Sequence, residues 1–247
     1  MKKLFLTLWL LTGVACTPSD QTSGKKVFYH SEDGSPTNLD PTQGATIYAN
    51  LIITSVYHTL YEYKYLKRPY ELKPSLAMAL PEVSSDNLTY TIKIKPGIFF
   101  VDDASFSDGK GREVEASDFV YSFKRHFDPN INSQGSWLWE GRIKGLDEWK
   151  KSGADYSAEV EGLKAIDKYT IQIKLVKPYP QLIYTLAMGY SAVVPKEAVM
   201  KYGKEFSVNP VGSGTWKLAR RFDPNKVILE RNEKLPKEKF DAIAEGY

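Results

Sequence analysis

Apolar and polar residues alternate in several short stretches of this chain, which is the pattern of half-buried β-strands. The clearest alternation covers residues 88–95, where Pro96 and Gly97 then interrupt it, and residues 170–175. Both stretches are predicted to be strands. Further strands are predicted at residues 27–29, 191–195, 214–218 and 227–231, the last two joined by a turn at residues 223–225.

Other segments place apolar residues at the three- and four-residue spacing of an amphipathic helix. Ile47, Leu51, Val56 and Leu60 follow this spacing and predict a helix over residues 47–61. A second helix is predicted to open at residues 115–118, capped by Ser117 or Asp118, with an apolar face formed by Phe119, Val120, Phe123 and Phe127. Shorter helices are predicted at residues 146–151, 182–188 and 196–202. Strands and helices alternate without a strict repeat, which predicts a mixed α/β fold.

The N-terminus has the composition of a bacterial export signal. Lys2 and Lys3 precede an apolar run at residues 4–14, which is too short to span a bilayer well, and small residues then lead to Cys16. Cys16 is the only cysteine of the chain. This arrangement resembles a lipoprotein signal, in which the cysteine is lipidated and begins the mature protein, with the outer membrane as the expected destination in a two-membrane cell. An ordinary secretory signal with a chance cysteine is the alternative.

Residues 17–26 are polar and rich in small residues, and they predict a flexible tether to a domain that begins at residue 27.

The composition narrows the range of binding partners. The 33 Lys and Arg residues nearly balance the 30 Asp and Glu residues, so the net charge does not favour nucleic acid. No later segment is long and apolar enough for a membrane helix, which leaves the lipid as the only expected membrane attachment.

A series of short motifs runs along the domain. It comprises NLDP at residues 38–41, LA at 76–77, TYTIKI at 89–94, FSDG at 106–109 with ASDFVYS at 116–122 and Arg125, GLKAID at 162–167, VVPK at 193–196, NPVGSG at 209–214 and LERN at 229–232. In order and spacing this series resembles the oligopeptide-binding, extracytoplasmic solute-binding proteins of ABC importers (family 5).

The resemblance implies an α/β, periplasmic-binding-protein type II fold that closes over an extended peptide. Family members continue through a second lobe, whereas this chain stops at residue 247. We therefore expect the first lobe plus a small extra domain, with the second lobe missing, through either natural truncation or an interrupted gene. Residues 27–50 and 190–247 would form the first lobe, and residues 51–189 the small domain.

The function implied is the peptide-binding component of an ABC-type import system on the periplasmic side, without enzymatic activity, cofactor or metal. Its partners would be peptides and the permease subunits, with the ATPase reached indirectly. A complete protein would be a monomer, and a truncated one would tend to associate. Two alternatives are an envelope interaction or chaperone-like module without a transport role, and a hydrolase on a binding-protein-like scaffold.

The resemblance also suggests where ligand would be contacted. One candidate segment follows the NLDP motif, where the alternative is a plain loop entering a helix, and another overlaps the NPVGSG motif, where the alternative is a tight turn. Between them, Trp137 is predicted to be a pocket wall and Trp139 a core residue, whereas Asp108, Gly109 and Asp118 are assigned to a turn and a helix cap. The predicted ligand-binding residues are Gly44, Ala45, Thr46, Trp137, Ser213, Gly214 and Trp216.

Catalytic patterns are weak. His30, His58 and His126 are far apart in sequence and lack neighbouring cysteines or clustered carboxylates, so a metal site is not predicted. Asp102 and Asp103 are adjacent, and adjacent side chains on an extended segment point to opposite faces. Ser191 and Ser213 have no base nearby in sequence and no Gly-x-Ser-x-Gly motif, and no Walker-type phosphate loop is present.

Overall fold

The computed structural model describes residues 26–236 and 240–247. Cys16 and nearly all of the predicted tether lie outside the described residues. The chain divides into a short N-terminal unit that ends at Asp33 and a compact unit from Gly34 to Tyr247.

The strand predicted at residues 27–29 is not observed. These residues belong to the short unit and have no regular secondary structure, and the side chains of Phe28 and Tyr29 are exposed. An apolar run becomes a strand only when a neighbouring strand satisfies its backbone N–H and C=O groups. Apolar composition alone was therefore an insufficient signal at this position.

The described part of the larger unit contains five α-helices and eight strands. The helices are α1 (Ile47–Val56), α2 (Ala116–Arg125), α3 (Leu146–Lys151), α4 (Leu182–Thr185) and α5 (Lys196–Tyr202). The strands are β1 (Tyr61–Tyr63), β2 (Leu72–Pro74), β3 (Glu82–Val83), β4 (Thr89–Lys93), β5 (Leu163–Asp167), β6 (Thr170–Lys174), β7 (Trp216–Leu218) and β8 (Leu229–Arg231). No helix of the described residues is long and apolar enough to cross a membrane.

The main sheet is antiparallel and has the strand order β3-β4-β6-β5. Its central pair is formed by the two stretches whose alternation is cleanest, and Ile92 lies opposite Ile171, both fully buried. Because every second residue of each strand faces the core, the alternation in the sequence predicted these strands correctly. β1 pairs with β2 and β7 with β8 in two separate antiparallel hairpins.

Helix α2 packs against this sheet, and its apolar face is the one predicted. Phe119, Phe123 and Phe127 are buried, and the first two rings have centroids 4.2 Å apart. The N-cap residue is Glu115, and Asp118 caps the helix from its first turn as the second member of a capping box with Glu115, which confirms Asp118 as a capping residue. The Asp118 carboxylate accepts the Glu115 backbone N–H at 2.9 Å, so it satisfies a free donor at this helix end.

Residues 191–195 do not form the predicted strand, because Ser191 ends a 3-10 helix and residues 192–195 have no regular secondary structure. The Val193 N–H donates to the carbonyl of His58 at 3.0 Å, and the Val194 N–H donates to the hydroxyl of Ser122 at 2.9 Å. The segment is buried, and its hydrogen bonds go to a loop carbonyl and a side chain. A buried apolar run can thus cross the core without belonging to a sheet.

Helix α1 ends at Val56, five residues before the predicted end, because Tyr57 is extended and the chain then enters β1. Helix α4 is likewise shorter than predicted, whereas α3 and α5 have the predicted bounds. One hydrophobic core runs through the larger unit and joins residues from both predicted domains. The proposed boundary at residues 50 and 51 falls inside α1, and the division into domains stays a prediction.

Candidate functional site

The first predicted ligand-binding segment forms the entry to α1. Thr46 is the N-cap of this helix, and its hydroxyl accepts the backbone N–H of Ala49 at 3.1 Å. Gly44 is buried and donates its N–H to the carbonyl of Asp40 at 2.8 Å. Ala45 and Thr46 are exposed, so these two are the residues of the segment that a ligand can reach.

A buried ion pair fixes this entry loop to helix α2. The Arg125 guanidinium donates to both carboxylate oxygens of Asp40, with N–O distances of 3.0 and 2.6 Å, and both side chains are almost fully buried. Thr42 donates its N–H and its hydroxyl to the same carboxylate, at 3.0 and 2.8 Å. Burial alone would raise the pKa of Asp40, yet the charge and hydrogen bonds of Arg125 and the Thr42 donors hold this pKa below its usual value.

The loop that carries Trp137 is attached to the same place. The Gln134 N–H donates to the carbonyl of Thr42 at 2.8 Å. The indole N–H of Trp137 donates to the carbonyl of Gln134 at 3.1 Å, and its side chain is 61% exposed. This hydrogen bond orients an exposed indole on the loop that is joined to Thr42, and the role of Trp137 as a pocket wall stays a prediction.

Trp139 is a core residue, as predicted. It is fully buried, its ring centroid lies 4.4 Å from that of Phe123, and its indole N–H donates to the hydroxyl of Thr185 at 3.0 Å. The two tryptophans are two positions apart, yet they have different environments. Sequence reasoning separated them correctly.

The predicted ligand-binding segment at residues 213–216 packs against the C-terminal end of α1. Gly214 donates its N–H to the carbonyl of Val56 at 2.8 Å, and its own carbonyl accepts the side-chain amide of Asn232 at 2.9 Å. A Cβ on Gly214 would lie 2.6 Å from the carbonyl oxygen of Ser55 and 2.6 Å from backbone atoms of Val56. Glycine is therefore required here by a close approach of two backbones. Trp216 follows and is 40% exposed.

Replacing Gly214 with Ala is expected to destabilise the protein by about 1–3 kcal/mol, because the added methyl group must displace the backbone of α1. Urea denaturation followed by tryptophan fluorescence measures this loss. Thr215→Ala, at the exposed neighbouring position, is the matched control and should change the free energy of unfolding by less than about 0.5 kcal/mol. Equal stability of the two variants would contradict the packing described here.

The outward face of α1 was not identified from the sequence. Ile47 and Leu51 contributed to the helical spacing that predicted α1, but their side chains are 69% and 42% exposed, and the buried positions are Ala49, Ile53 and Val56. Because α1 is apolar on nearly all sides, residue spacing did not distinguish the two faces. The exposed face of α1 carries Ile47 and Leu51. The predicted segment at residues 44–46 leads into this helix, and the predicted segment at residues 213–216 packs on its C-terminal end.

One serine–histidine contact bears on the hydrolase alternative. Nδ1 of His58 lies 3.2 Å from Oγ of Ser213. Burial, together with the positive charge of Lys95, lowers the pKa of His58 to about 4. Ser213 is fully buried, so its hydroxyl is inaccessible to a substrate, and among the described residues no carboxylate hydrogen-bonds to His58. The contact between His58 and Ser213 therefore has a structural role, which is to pack the segment at residues 213–216.

The other candidate groups have structural partners. Asp102 pairs with Lys234 at 2.5 Å, whereas Asp103 accepts the Tyr202 hydroxyl at 2.9 Å, so the adjacent carboxylates do have different neighbours. Asp108 accepts the N–H of Lys110 at 3.0 Å in the predicted turn. Within the described ranges, no group of three or more His, Cys, Asp or Glu side chains is placed to hold a metal ion.

Comparisons with solved structures identify this architecture as the type II periplasmic-binding-protein fold. The peptide-bound pheromone receptor PrgZ superimposes with a TM-score of 0.67 at 25% identity, over 81% of this chain and 38% of the receptor. An oligopeptide-binding protein, OppAIV, from Borrelia burgdorferi gives 0.69 at 27% identity, over 81% of this chain and 38% of that protein. The substrate-binding domain of a Bacillus anthracis oligopeptide ABC transporter gives 0.71 at 20% identity, over 83% and 37%.

The chain belongs to the bacterial extracellular solute-binding proteins, family 5, whose model (the "Middle" region) matches residues 71–244. The dipeptide-binding protein of Escherichia coli K12 is 31% identical over 226 residues, which are 88% of this chain and 38% of that protein. The periplasmic oligopeptide-binding protein OppA of the same strain is 37% identical over 136 residues, 53% of this chain and 24% of OppA. The chain thus spans less than two fifths of the length of these relatives.

Proposed function

We propose that this chain supplies one side of a peptide-binding cleft in the solute-binding component of an ABC-type importer, with permease subunits as its protein partners. The observation that carries the proposal is the attachment of three separate loops to α1. The entry loop and the Trp137 loop meet at its N-terminal end, and the Gly214 loop packs on its C-terminal end. The relatives named as dipeptide- and oligopeptide-binding proteins support the ligand class.

The surface offers what an extended peptide needs. Peptide backbones present regularly spaced donors and acceptors, which loop backbones can pair without reading the side chains. Trp137 and Trp216 add partly exposed aromatic surface. The Trp137 indole is held by its hydrogen bond to Gln134, and Trp216 is the first residue of strand β7. Aromatic side chains bury a large area at a low cost in conformational entropy, which suits them to contact varied peptides.

Binding is tested by isothermal titration of the full chain carrying Cys16→Ser with a pool of short peptides. We expect weak, saturable binding, and we expect Trp137→Ala to weaken it by about fivefold through the loss of aromatic contact. Tyr247→Ala removes an aromatic side chain that is also exposed but belongs to none of the predicted ligand-binding segments, so it is the matched control. Full affinity in the Trp137 variant would remove this residue from the site.

The same protein and peptides also distinguish the transport function from the hydrolase and from the chaperone-like module. Absence of any peptide binding would overturn the transport proposal. Turnover of peptides into shorter products would favour the hydrolase, and binding of unfolded chains with little dependence on peptide length would favour the chaperone-like module. The burial of Ser213 argues against the hydrolase.

We also propose that Cys16 anchors the protein to a membrane, although this residue lies outside the described part of the chain. Cys16→Ser is expected to abolish metabolic labelling by a fatty-acid analogue and to shift the protein from the membrane fraction to the soluble envelope fraction, because the acyl chains provide the membrane affinity. Thr17→Ser is the control and should keep the label. Unchanged fractionation of the Cys16 variant would show that the signal is an ordinary secretory one.

A further inference from the structure

Charged residues are absent from four segments of a chain in which they make up 26% of all positions. The segments are residues 42–57, 129–139, 178–195 and 207–216, and none contains Asp, Glu, Lys or Arg. The surface they form together is called the uncharged wall below. Surface loops are normally rich in charge, so four such segments require an explanation.

All four segments meet at or beside α1. The second is joined to the first by the Gln134–Thr42 hydrogen bond, and the fourth by the Gly214–Val56 hydrogen bond, each 2.8 Å long. The third packs directly on the helix, since a Cβ on Gly189 would lie 2.2 Å from the side-chain oxygen of Asn50. The segments are distant in sequence but form one continuous region of the surface and the core beneath it.

The exposed side chains of this region are apolar, aromatic or neutral polar. Ile47, Leu51, Trp137 and Trp216 are all at least 40% exposed. Tyr184 is also exposed, and its ring stacks on that of Tyr63 in β1. A core function would explain the missing charges at buried positions, but it does not explain why the exposed positions also lack them. Exposed apolar side chains grouped in one region mark a binding surface.

Two cations border the uncharged wall, namely Lys95 and Arg231, which lies opposite Trp216 in the β7–β8 pair. The other titratable neighbours contribute no net charge. Asp40 and Arg125 pair with each other under the entry loop, so their charges cancel. The His58 side chain, between α1 and the fourth segment, has a pKa of about 4 and is therefore neutral at pH 7. Lys95 acts on His58 from outside the four segments.

We infer that the uncharged wall selects peptides whose facing side chains are neutral and apolar or aromatic, and that it disfavours acidic and basic side chains alike. This inference rests on the proposed peptide-binding function. An apolar side chain gains by covering Trp137 or Leu51, whereas a charged one loses hydration and finds no counter-charge on the four segments themselves. A wall that carried one sign of charge would instead favour the opposite sign.

The test is titration of the full Cys16→Ser chain with tripeptides that have a central Leu, Phe, Glu or Lys between two Ala residues. The Leu and Phe peptides are expected to bind about tenfold more tightly than both charged peptides. Equal affinities for all four, or preference for one sign of charge, would overturn the inference while leaving peptide binding intact. If none of the four binds and the wider peptide pool also fails, both proposals fall together.

A charge placed on the uncharged wall provides a second measurement. Leu51→Lys should improve binding of the Glu peptide relative to the Lys peptide by about two- to fivefold, and Leu51→Glu should reverse the order. Ile166→Lys and Ile166→Glu are matched controls, because Ile166 is an aliphatic residue of similar exposure on the edge strand β5. If the Ile166 variants shift the preference as much as the Leu51 variants do, peptides do not lie on the wall and the inference is wrong.

Discussion

Replacing Asp40 with Asn is expected to destabilise the protein by about 3–5 kcal/mol, the largest effect of any single substitution considered for this chain. The reason is that Arg125 would remain buried without its partner. Arg125 is 3% exposed, and both of its terminal nitrogens donate to the Asp40 carboxylate. An amide in place of the carboxylate leaves a buried guanidinium without a counter-charge, and desolvation of that charge is no longer offset. Urea denaturation at pH 7 measures the loss.

Two further variants separate the ion pair from general damage to the loop. Asp108→Asn changes an exposed turn carboxylate in the same way and should cost less than about 0.5 kcal/mol. The double variant Asp40→Leu with Arg125→Met removes both charges, and it should recover much of the stability lost in Asp40→Asn, because an apolar pair requires no counter-charge. A loss below about 1 kcal/mol in Asp40→Asn would show that the pair contributes little.

The ion pair also shows where sequence reasoning stopped. Asp40 and Arg125 both belong to the recognised motifs, but they are 85 positions apart, and their pairing depends on how α2 packs beneath the entry loop. In contrast, β4, β6 and the face of α2 were predictable because their signals are local and repeat with the period of the element. The strands proposed at residues 27–29 and 191–195 failed because apolar content carries no information about a hydrogen-bonding partner.

The candidate site was also predictable only in part, because local signals identify its segments but not how they pack together. Motifs led to the segments that hold Gly44 and Gly214, and the family resemblance led to the Trp137 loop; the structure places all three at α1 or at the loop that enters it. The outward face of α1 was missed, because the helix is apolar around most of its circumference and only the packing shows that Leu51 points away from the core. The uncharged segments are visible in the sequence, but their meeting on one surface is a tertiary property.

Lowering the pH from about 6.5 to about 4 is expected to remove about 3 kcal/mol of stability through His126 alone. This side chain is buried against Trp139, and its two ring nitrogens contact the Tyr190 carbonyl at 2.8 Å and the Ser133 hydroxyl at 2.7 Å. The carbonyl only accepts, so Nε2 carries the proton and Nδ1 accepts from Ser133. Burial lowers the pKa of His126 to about 4, and the charge of Arg125 acts in the same direction, although the bond to Tyr190 opposes it.

The sign follows from the direction of this shift. In the unfolded chain a histidine has a pKa of about 6.5, so between pH 6.5 and 4 the unfolded state binds a proton that the folded state does not, and stability falls as the pH is lowered. His58 shifts in the same direction and adds to the slope. Asp40, with its lowered pKa, loses its contribution only at more acidic pH.

The measurement is the free energy of unfolding at pH 7 and at pH 4.5 for the wild type and for His126→Gln. The variant can be less stable at both values, but the difference between them should shrink by about 2–3 kcal/mol, since glutamine takes up no proton in this range. His30→Gln replaces a histidine whose side chain is exposed, so it controls for the number of histidines and should keep the wild-type difference. A pH dependence unchanged by His126→Gln would mean that the imidazole takes up its proton at the same pH in the folded and the unfolded state, and the assignment of a neutral buried imidazole that accepts from Ser133 down to pH 4.5 would then be wrong.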